Sequence, residues 1–600
     1  MSLLLSTDNL SKSFGSRRLF KGISISFDDS QKTGLIGANG SGKSTLLKII
    51  AGLEQPDEGS ITMRRNLRIG YVPQEDAFEV DLTVEQIVLE KLRSIDSHAD
   101  AHELAARAGI ALGKAGFVDF DQLTGTLSGG GKKRLAIARE LAAEPDLLLM
   151  DEPTNHLDVE AILWLEKLLA SARFSFLLVS HDRYFLENAC NRTVELSAAY
   201  IDGYLSADGG YSELLEKREQ YLTAQQSRQS SLAGQVRREV EWLRRGAKAR
   251  TTKAKGRIEK AGDLMAELGE VKSRNASAGT VQIDFNATHR QTRKLLEARG
   301  ISKTLGGKKL IDNLSLILSP GARLGLIGAN GSGKTTLINI LAGRLTPDSG
   351  EIIRAEGLRT ILFDQGRAQL DPSVTLKRTL SPYGDSVVYR GSSQHVSGWA
   401  RRFLFRVDQL DLPVGQLSGG EQARVLIANL MREPADLLIL DEPTNDLDIA
   451  TLGVLEESLL DFPGALVLVT HDRYMLERVS TDLLALDGRG GAANYANLDQ
   501  WQRARDAATS IAKSPSPKPT KPATASPAKK LSYKEQREFE SMEATIMEAE
   551  TTLHALQHRM NDPAVLADRN RLHEVCEAVA AAQQSVHDLY ARWEALEAKQ

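Results

Sequence analysis

Cysteine is nearly absent: Cys190 and Cys576 are the only two in 600 residues. Two thiols so far apart exclude a disulfide framework and a cysteine-based zinc or iron–sulfur centre, and they fit a reducing, cytoplasmic compartment. Aromatic residues make up 5% of the chain, and no run reaches the roughly 18 uninterrupted apolar residues needed to cross a bilayer. The opening MSLLLSTDNLSKSF has neither the basic stretch nor the full apolar segment of a secretory leader. Net charge is scarce too. The 75 Lys+Arg against 79 Asp+Glu leave −4, which excludes a uniformly basic nucleic-acid coat but not a local basic patch. A single hydrophobic core is excluded by length, so several domains are expected.

What the chain does have is a duplication. GANGSGKST, Gly37 to Thr45, returns as GANGSGKTT, Gly328 to Thr336. LSGG recurs at Leu127 and Leu417, DEPTN at Asp151 and Asp441, and S/THDRY at Ser180 and Thr470, with an offset of 290 residues from the second motif onward. Such self-similarity means two copies of one domain in tandem. Each copy opens with alternating apolar residues, passes a Gly-rich loop into an apolar helical pattern, and later shows short buried runs at Leu147–Met150, Phe176–Val179, Leu437–Leu440 and Leu466–Val469. This is an α/β pattern with a partly parallel sheet.

The expected organisation is a first copy of the repeated α/β domain at 1–210, a helical hairpin linker at 211–295, a second copy at 296–511, an extended Pro/Lys/Ser tether at 512–530 and a C-terminal antiparallel coiled coil at 531–600. The last rests on two heptad series, Phe539 to Met560 and Leu572 to Leu596, separated by the helix-breaking Asp562-Pro563.

The chemistry lies in the repeated motifs. In G-x-x-x-x-G-K-[ST] the glycines let backbone N–H groups approach phosphate oxygens, and the loop feeds a helix whose N-terminus favours anions. The phosphate cradles are Gly37, Ala38, Asn39, Gly40, Ser41, Gly42, Lys43, Ser44 and Thr45, and Gly328, Ala329, Asn330, Gly331, Ser332, Gly333, Lys334, Thr335 and Thr336. Lys43 and Lys334 would reach the β- and γ-phosphates of ATP, while Ser44 and Thr335 place hydroxyls on Mg²⁺. Asp151 and Asp441, each ending a buried strand, would hold Mg²⁺, and Glu152 and Glu442 stand where a general base would polarise the attacking water.

The motif order resembles the nucleotide-binding domains of the ABC superfamily. On that resemblance Gln74 and Gln365 are γ-phosphate-sensing metal ligands, and Ser128, Gly129 and Gly130 with Ser418, Gly419 and Gly420 are signature loops. Asp158 and Asp448 match the D-loops, His181 and His471 the switch histidines, and Phe14 the adenine-stacking aromatic. The resemblance implies two composite sites, each joining one domain's phosphate loop to the other's signature. Leu305 replaces the stacking ring in copy two, and Gly131 stands where copy two has Glu421, so the two sites are expected to differ in affinity or turnover.

Two such domains without a membrane span resemble the ABC-F class, and the linker and tail are similar to its Uup subgroup. In that class the interdomain linker enters the ribosome and reaches toward peptidyl-tRNA. Independently, 237–260 carries ten Lys/Arg against three Asp/Glu, a density suited to RNA phosphates. The RNA-contact candidates are Arg244, Arg245, Lys248, Arg250, Lys253 and Arg257, although a solvated helical face has the same composition. An extra arm in the first domain is not expected, because Gln74 and Ser128 stand 54 residues apart and Gln365 and Ser418 stand 53 apart. The C-terminal hairpin of the subgroup is associated with branched DNA and transposon excision. Here 531–600 carries seven basic and thirteen acidic residues, which weakens phosphate-driven binding and leaves a protein-contact role equally open. Three function classes follow: a ribosome-associated translation ATPase, a DNA-acting ATPase, and the cytosolic subunit of an ABC transporter, for which the basic linker has no use.

Overall fold

The computed structural model describes residues 2–15, 17–96, 99–155, 157–244, 252–276, 283, 285, 294–363, 370–445 and 447–513, with isolated positions at 545, 551, 552, 578 and 582. Gln365, Arg245, Lys248 and Arg250 lie outside the described residues, as does almost all of the expected tether and coiled coil. Arg244, Lys253 and Arg257 are placed by backbone alone. The chain divides into Met1–Ala508 and Thr509–Gln600. In the second unit Thr545, Thr551, Thr552, Ala578 and Ala582 are helical. The helix Leu498–Lys513 runs two residues into the stretch expected as tether.

Each copy is built on a six-stranded sheet. In the first the order is Tyr204–Asp208, Arg192–Leu196, Lys32–Gly37, Ser175–Val179, Leu147–Asp151, Ile69–Val72; all are parallel except the first, which pairs antiparallel with its neighbour. The second copy repeats this with Ala492–Tyr495, Asp482–Leu486, Arg323–Gly328, Ala465–Val469, Leu437–Asp441 and Thr360–Phe363. Every residue of Leu147–Asp151, Ser175–Val179, Leu437–Asp441 and Ala465–Val469 is buried, which is why these runs are apolar without alternation. A smaller antiparallel sheet flanks each core: Leu3–Phe14 with Arg17–Ile23, Ser26–Asp28 and Glu58–Met63, and Leu296–Leu305 with Lys308–Leu318 and Ser349–Arg354.

The two copies part between Gln74 and the signature loops. Copy one forms the helices Val84–Ile95, started by a Thr83/Gln86 capping box, and Ala101–Lys114. Copy two uses almost the same length for a short helix Leu376–Leu380, a hairpin Ser386–Tyr389/Ser392–His395, and a helix Val396–Arg402. Its two-residue turn puts both Arg390 and Gly391 at positive φ, 49° and 75°, the geometry that matches strand twist. Equal spacing thus hides two different structures.

Between the copies, Tyr211–Arg244 and Thr252–Ala276 pack as an antiparallel pair through Leu232, Val236, Leu264, Leu268 and Val271, with Arg228 and Glu267 paired at 2.6 Å. At about 1.5 Å per residue the longer helix extends roughly 50 Å. Its root is fixed in the first copy, where Leu214 is buried, Tyr221 meets Tyr200 edge-on at 5.1 Å, and Gln225 donates to the Ala199 carbonyl. The returning chain enters the core of the second copy through Ile283 and Phe285.

Candidate active sites

In each copy three neighbouring parallel strands end on one edge of the sheet, where open α/β sheets bind ligands. In copy one, Lys32–Gly37 delivers the phosphate loop, Leu147–Asp151 the Asp151-Glu152 pair, and Ser175–Val179 the loop bearing His181. Gly37 has φ 151°, and a Cβ there would come to 2.6 Å of the Leu196 carbonyl. Gly42 precedes the helix Lys43–Ile50 at φ 94° and leaves the helix N-terminus without a side-chain cap; Gly333 does the same at φ 106° before Lys334–Leu341. Uncapped N–H groups at a helix start form an anion cradle.

Lys43 bridges its own loop, donating to the carbonyls of Gly37 at 2.8 Å and Ala38 at 3.3 Å; Lys334 does so to Gly328 at 2.7 Å and Ala329 at 3.2 Å. Burial holds both ammonium groups below the ordinary lysine range, against the attraction of Glu152 and Glu442. Ser44 donates to Asp151 at 3.0 Å, and Thr335 stands 3.4 Å from Asp441. Burial raises Asp151 to about 6.

Glu152 and Glu442 both sit in the left-handed region, at φ 49° and 50°, each donating its N–H to the last residue of the neighbouring strand, Val179 or Val469. Non-glycine residues held there concentrate at functional sites. Glu152 lies 3.0 Å from Nε2 of His181, and Glu442 lies 3.3 Å from that of His471. Burial opposes ionisation of Glu152, but His181 and then Lys43 outweigh it and hold the carboxyl below its usual range. At Glu442 burial prevails over Lys334 and raises the carboxyl to about 8, while burial lowers His471 to about 3.

Both sites are completed by the opposite copy. A cavity of about 340 Å³ brings Phe14, Asn39, Gly40, Gly42, Lys43, Ser44, Thr45, Gln74, Glu152 and His181 together with Ser418, Gly419 and Gly420. A second, of about 490 Å³, joins Asn330, Gly331, Gly333, Lys334, Thr335, Thr336, Asp441, Glu442 and His471 to Ser128 and Gly129. Gly130 does not line it, and of the cradle residues Gly37, Ala38, Ser41, Gly328, Ala329 and Ser332 line neither cavity. The copies are also stitched directly: Asp448 accepts from the Asn39 N–H at 3.0 Å, and Asp158 from that of Asn330 at 3.1 Å. Asn155 lines both cavities and Asn445 the second, although neither was singled out from the sequence; their signal was the N closing each DEPTN.

Next to these loops, Asp472 is buried across the interface from Asp182, with Arg183 and Glu456 also facing it, and burial followed by the Asp182 charge raises it to about 7. A carboxyl raised from 3.8 in the folded form takes up its proton early, so the stability it contributes is present at low pH and lost as pH rises through about 7. Asp472→Asn retains an acceptor for the Met475 N–H. It is expected to raise Tm by roughly 2–4 °C at pH 8 and to leave it unchanged at pH 4, as measured by calorimetry. An equal shift at both pH values would contradict this origin.

Two facing domains of this fold, each completing the other's nucleotide site, define an ATP-hydrolysing ABC protein. The "ABC transporter" family profile matches residues 20–155 and 311–445, and the "ABC transporter C-terminal domain" profile matches 530–598. The ATP-binding protein Uup of Caulobacter vibrioides is 37% identical, the alignment covering 92% of this chain and 90% of that protein. The energy-dependent translational throttle protein EttA of Escherichia coli is 34% identical over 81% of this chain and 93% of its own. Among solved structures, the complex of the archaeal ribosomal stalk protein aP1 with the archaeal recycling factor aABCE1 shares the fold, with a TM-score of 0.57 and 20% identity over 83% of this chain and 92% of that one. The chain belongs to the ABC-F family of ATP-binding proteins lacking transmembrane domains. Among the described residues no helix is long and apolar enough to cross a membrane.

Proposed function

We propose that this ATPase acts on ribosomes, inserting its basic interdomain hairpin toward bound tRNA when ATP closes the two domains and withdrawing it after hydrolysis. The observation that carries the reading is the placement of the hairpin: rooted in one ATPase copy and returning into the core of the other, it spans the joint that ATP would close. The relative named as a translational throttle supports the same direction. ATP would lie with its phosphates on the two uncapped helix starts. Mg²⁺ would be held by Ser44, Asp151 and Gln74 in one site and by Thr335, Asp441 and Gln365 in the other, a hydroxyl–carboxylate donor set that suits a hard cation. Glu152 and Glu442 would then orient the attacking water, with His181 and His471 facing the γ-phosphate. Signature N–H groups from the other copy would bind that phosphate, so its release removes the attraction between domains.

The test is sedimentation of the Glu152→Gln/Glu442→Gln protein through sucrose gradients with ribosomes and ATP. Co-migration with ribosomal peaks is expected, weakened at high salt and by replacing Arg244, Arg245, Lys248, Arg250, Lys253 and Arg257. Migration apart from ribosomes, with retention on branched DNA, would favour instead the reading that the C-terminal domain, matched at 530–598, directs the ATPase to DNA.

A further inference from the structure

Two residues beyond His181 lies Arg183, the arginine of the repeated HDRY stretch, to which the resemblance gives no role. Its guanidinium is buried and crosses to the other copy, donating from Nη1 to both carboxylate oxygens of Glu456, at 2.9 and 3.1 Å, and from Nη2 to the Ile449 carbonyl at 3.2 Å. It also lies 4.4 Å over the Tyr474 ring. Glu456 is wholly enclosed and shared with Arg478 at 2.8 Å. Both Glu456 and Ile449 belong to the helix Ile449–Asp461 of copy two.

The same helix is held at two further points. Asp448, its N-cap, accepts from Asn39 in the phosphate loop of copy one. Near its other end, Ser458 donates to the carbonyl of Ile283, and Phe462 meets Phe285 edge-on at 6.4 Å; Ile283 and Phe285 belong to the linker. One helix therefore touches the first nucleotide cavity at its start, the switch-histidine loop at its middle and the linker at its end. The mirror contact exists but is lighter. Arg473 pairs with Glu166 and stands 3.7 Å from Asp182, while the counterpart of Arg478 is Asn188, so no second arginine can share Glu166 there.

We propose that Arg183 is a positioning residue of the ATPase: by clamping Glu456 it fixes the helix Ile449–Asp461 against the first nucleotide cavity, so that closure there is passed through this one helix to the interdomain linker. The charges make the coupling all-or-none. A buried arginine and a buried carboxylate stabilise the closed pair only together, because either one left without its partner in the interior is strongly unfavourable. When the domains part, both return to water. Arg183 does not line the cavity, so ATP can bind without it.

The full chain tests this. Arg183→Ala is expected to lower kcat for phosphate release at least tenfold while the affinity for a trinitrophenyl-ATP probe changes less than twofold. Arg183→Lys, which keeps the charge but loses the fork, should give an intermediate kcat. In the Glu152→Gln/Glu442→Gln background, ATP should protect the amides of 449–461 from hydrogen exchange, and adding Arg183→Ala should abolish that protection. Adding Arg473→Ala instead should leave it in place. If Arg183→Ala fails to fold, Glu456→Gln and Arg183→Lys carry the same readouts. A kcat within twofold of the parent, a loss appearing wholly as weakened nucleotide affinity, or retained protection would each overturn the proposal.

Discussion

Replacing Glu152 and Glu442 together by Gln is expected to reduce steady-state ATP turnover by about 10²–10⁴-fold, the range general-base catalysis supplies, while ATP still binds and holds the domains closed. The amide keeps the size of the side chain and its place beside His181 or His471, but it cannot take a proton from water. The single variants should not divide the loss equally. The first cavity is lined by the Phe14 ring, with the Lys12 ammonium 5.6 Å from its centroid, and has a glutamate held ionised beside His181. The second has no Phe, Tyr or Trp among its lining residues, its apolar lining including Leu310, and a glutamate raised by burial. Their signature loops differ as well. Ser418 donates its hydroxyl hydrogen to Glu421 at 2.8 Å, whereas Gly131 offers only an N–H to Ser128, whose hydroxyl hydrogen stays available for phosphate. Glu152→Gln is expected to lose the larger share of phosphate release at saturating ATP. Equal losses would mean that these differences do not reach the chemistry.

Lys133→Met should cost about 3–5 kcal/mol of stability, the cost of breaking one buried ion pair, read as a Tm lower by roughly 6–20 °C. Lys133 and Asp76 are both almost fully enclosed and stand 2.7 Å apart. The same ammonium donates to the carbonyls of Pro73 at 2.8 Å and Gln74 at 2.9 Å. Met leaves Asp76 buried without its partner and the two carbonyls without that donor. The double variant Lys133→Met/Asp76→Leu should recover a good part of the loss. No recovery would show that the carbonyls, not the charge, set the cost. The brace also ties Gln74, facing the first cavity, to the helix Gly129–Ala142, whose start covers the second. Copy two has Ala423 at the matching position, so no lysine there can form the same brace.

The duplication and the phosphate loops were legible because they need particular residues at fixed spacing: no other residue tolerates the φ and the close approach at Gly37, and lysine alone reaches back across the loop. Partly parallel sheets followed from the runs at Leu147 and Leu437, whose unbroken apolarity is that of strands covered on both faces. Cross-domain assembly was legible only through resemblance, since no local pattern tells Ser418 that it faces Lys43. Arg183, within the repeated HDRY, was not legible as a contact because an arginine at a helix start reads as solvated until the fold shows Glu456, 273 residues away, enclosed beside it. The hairpin in copy two was missed for another reason. Its alternation, Val387 and Tyr389 inward, spans too few residues to mark a strand pair. The 54- and 53-residue intervals excluded an extra arm but said nothing about the structure within them.

The interdomain hairpin also has a kinetic consequence. Because Leu214 anchors it in one copy and Phe285 in the other, the two halves meet at an effective concentration set by the linker and not by how much protein is present. Closure is then a first-order event. Turnover per molecule should stay constant on dilution, where two separate half-proteins would fall apart and stop. A fused pair can also keep a Phe14 on one side and a Leu305 on the other permanently in register. That lets the two cavities diverge without ever competing for the wrong partner.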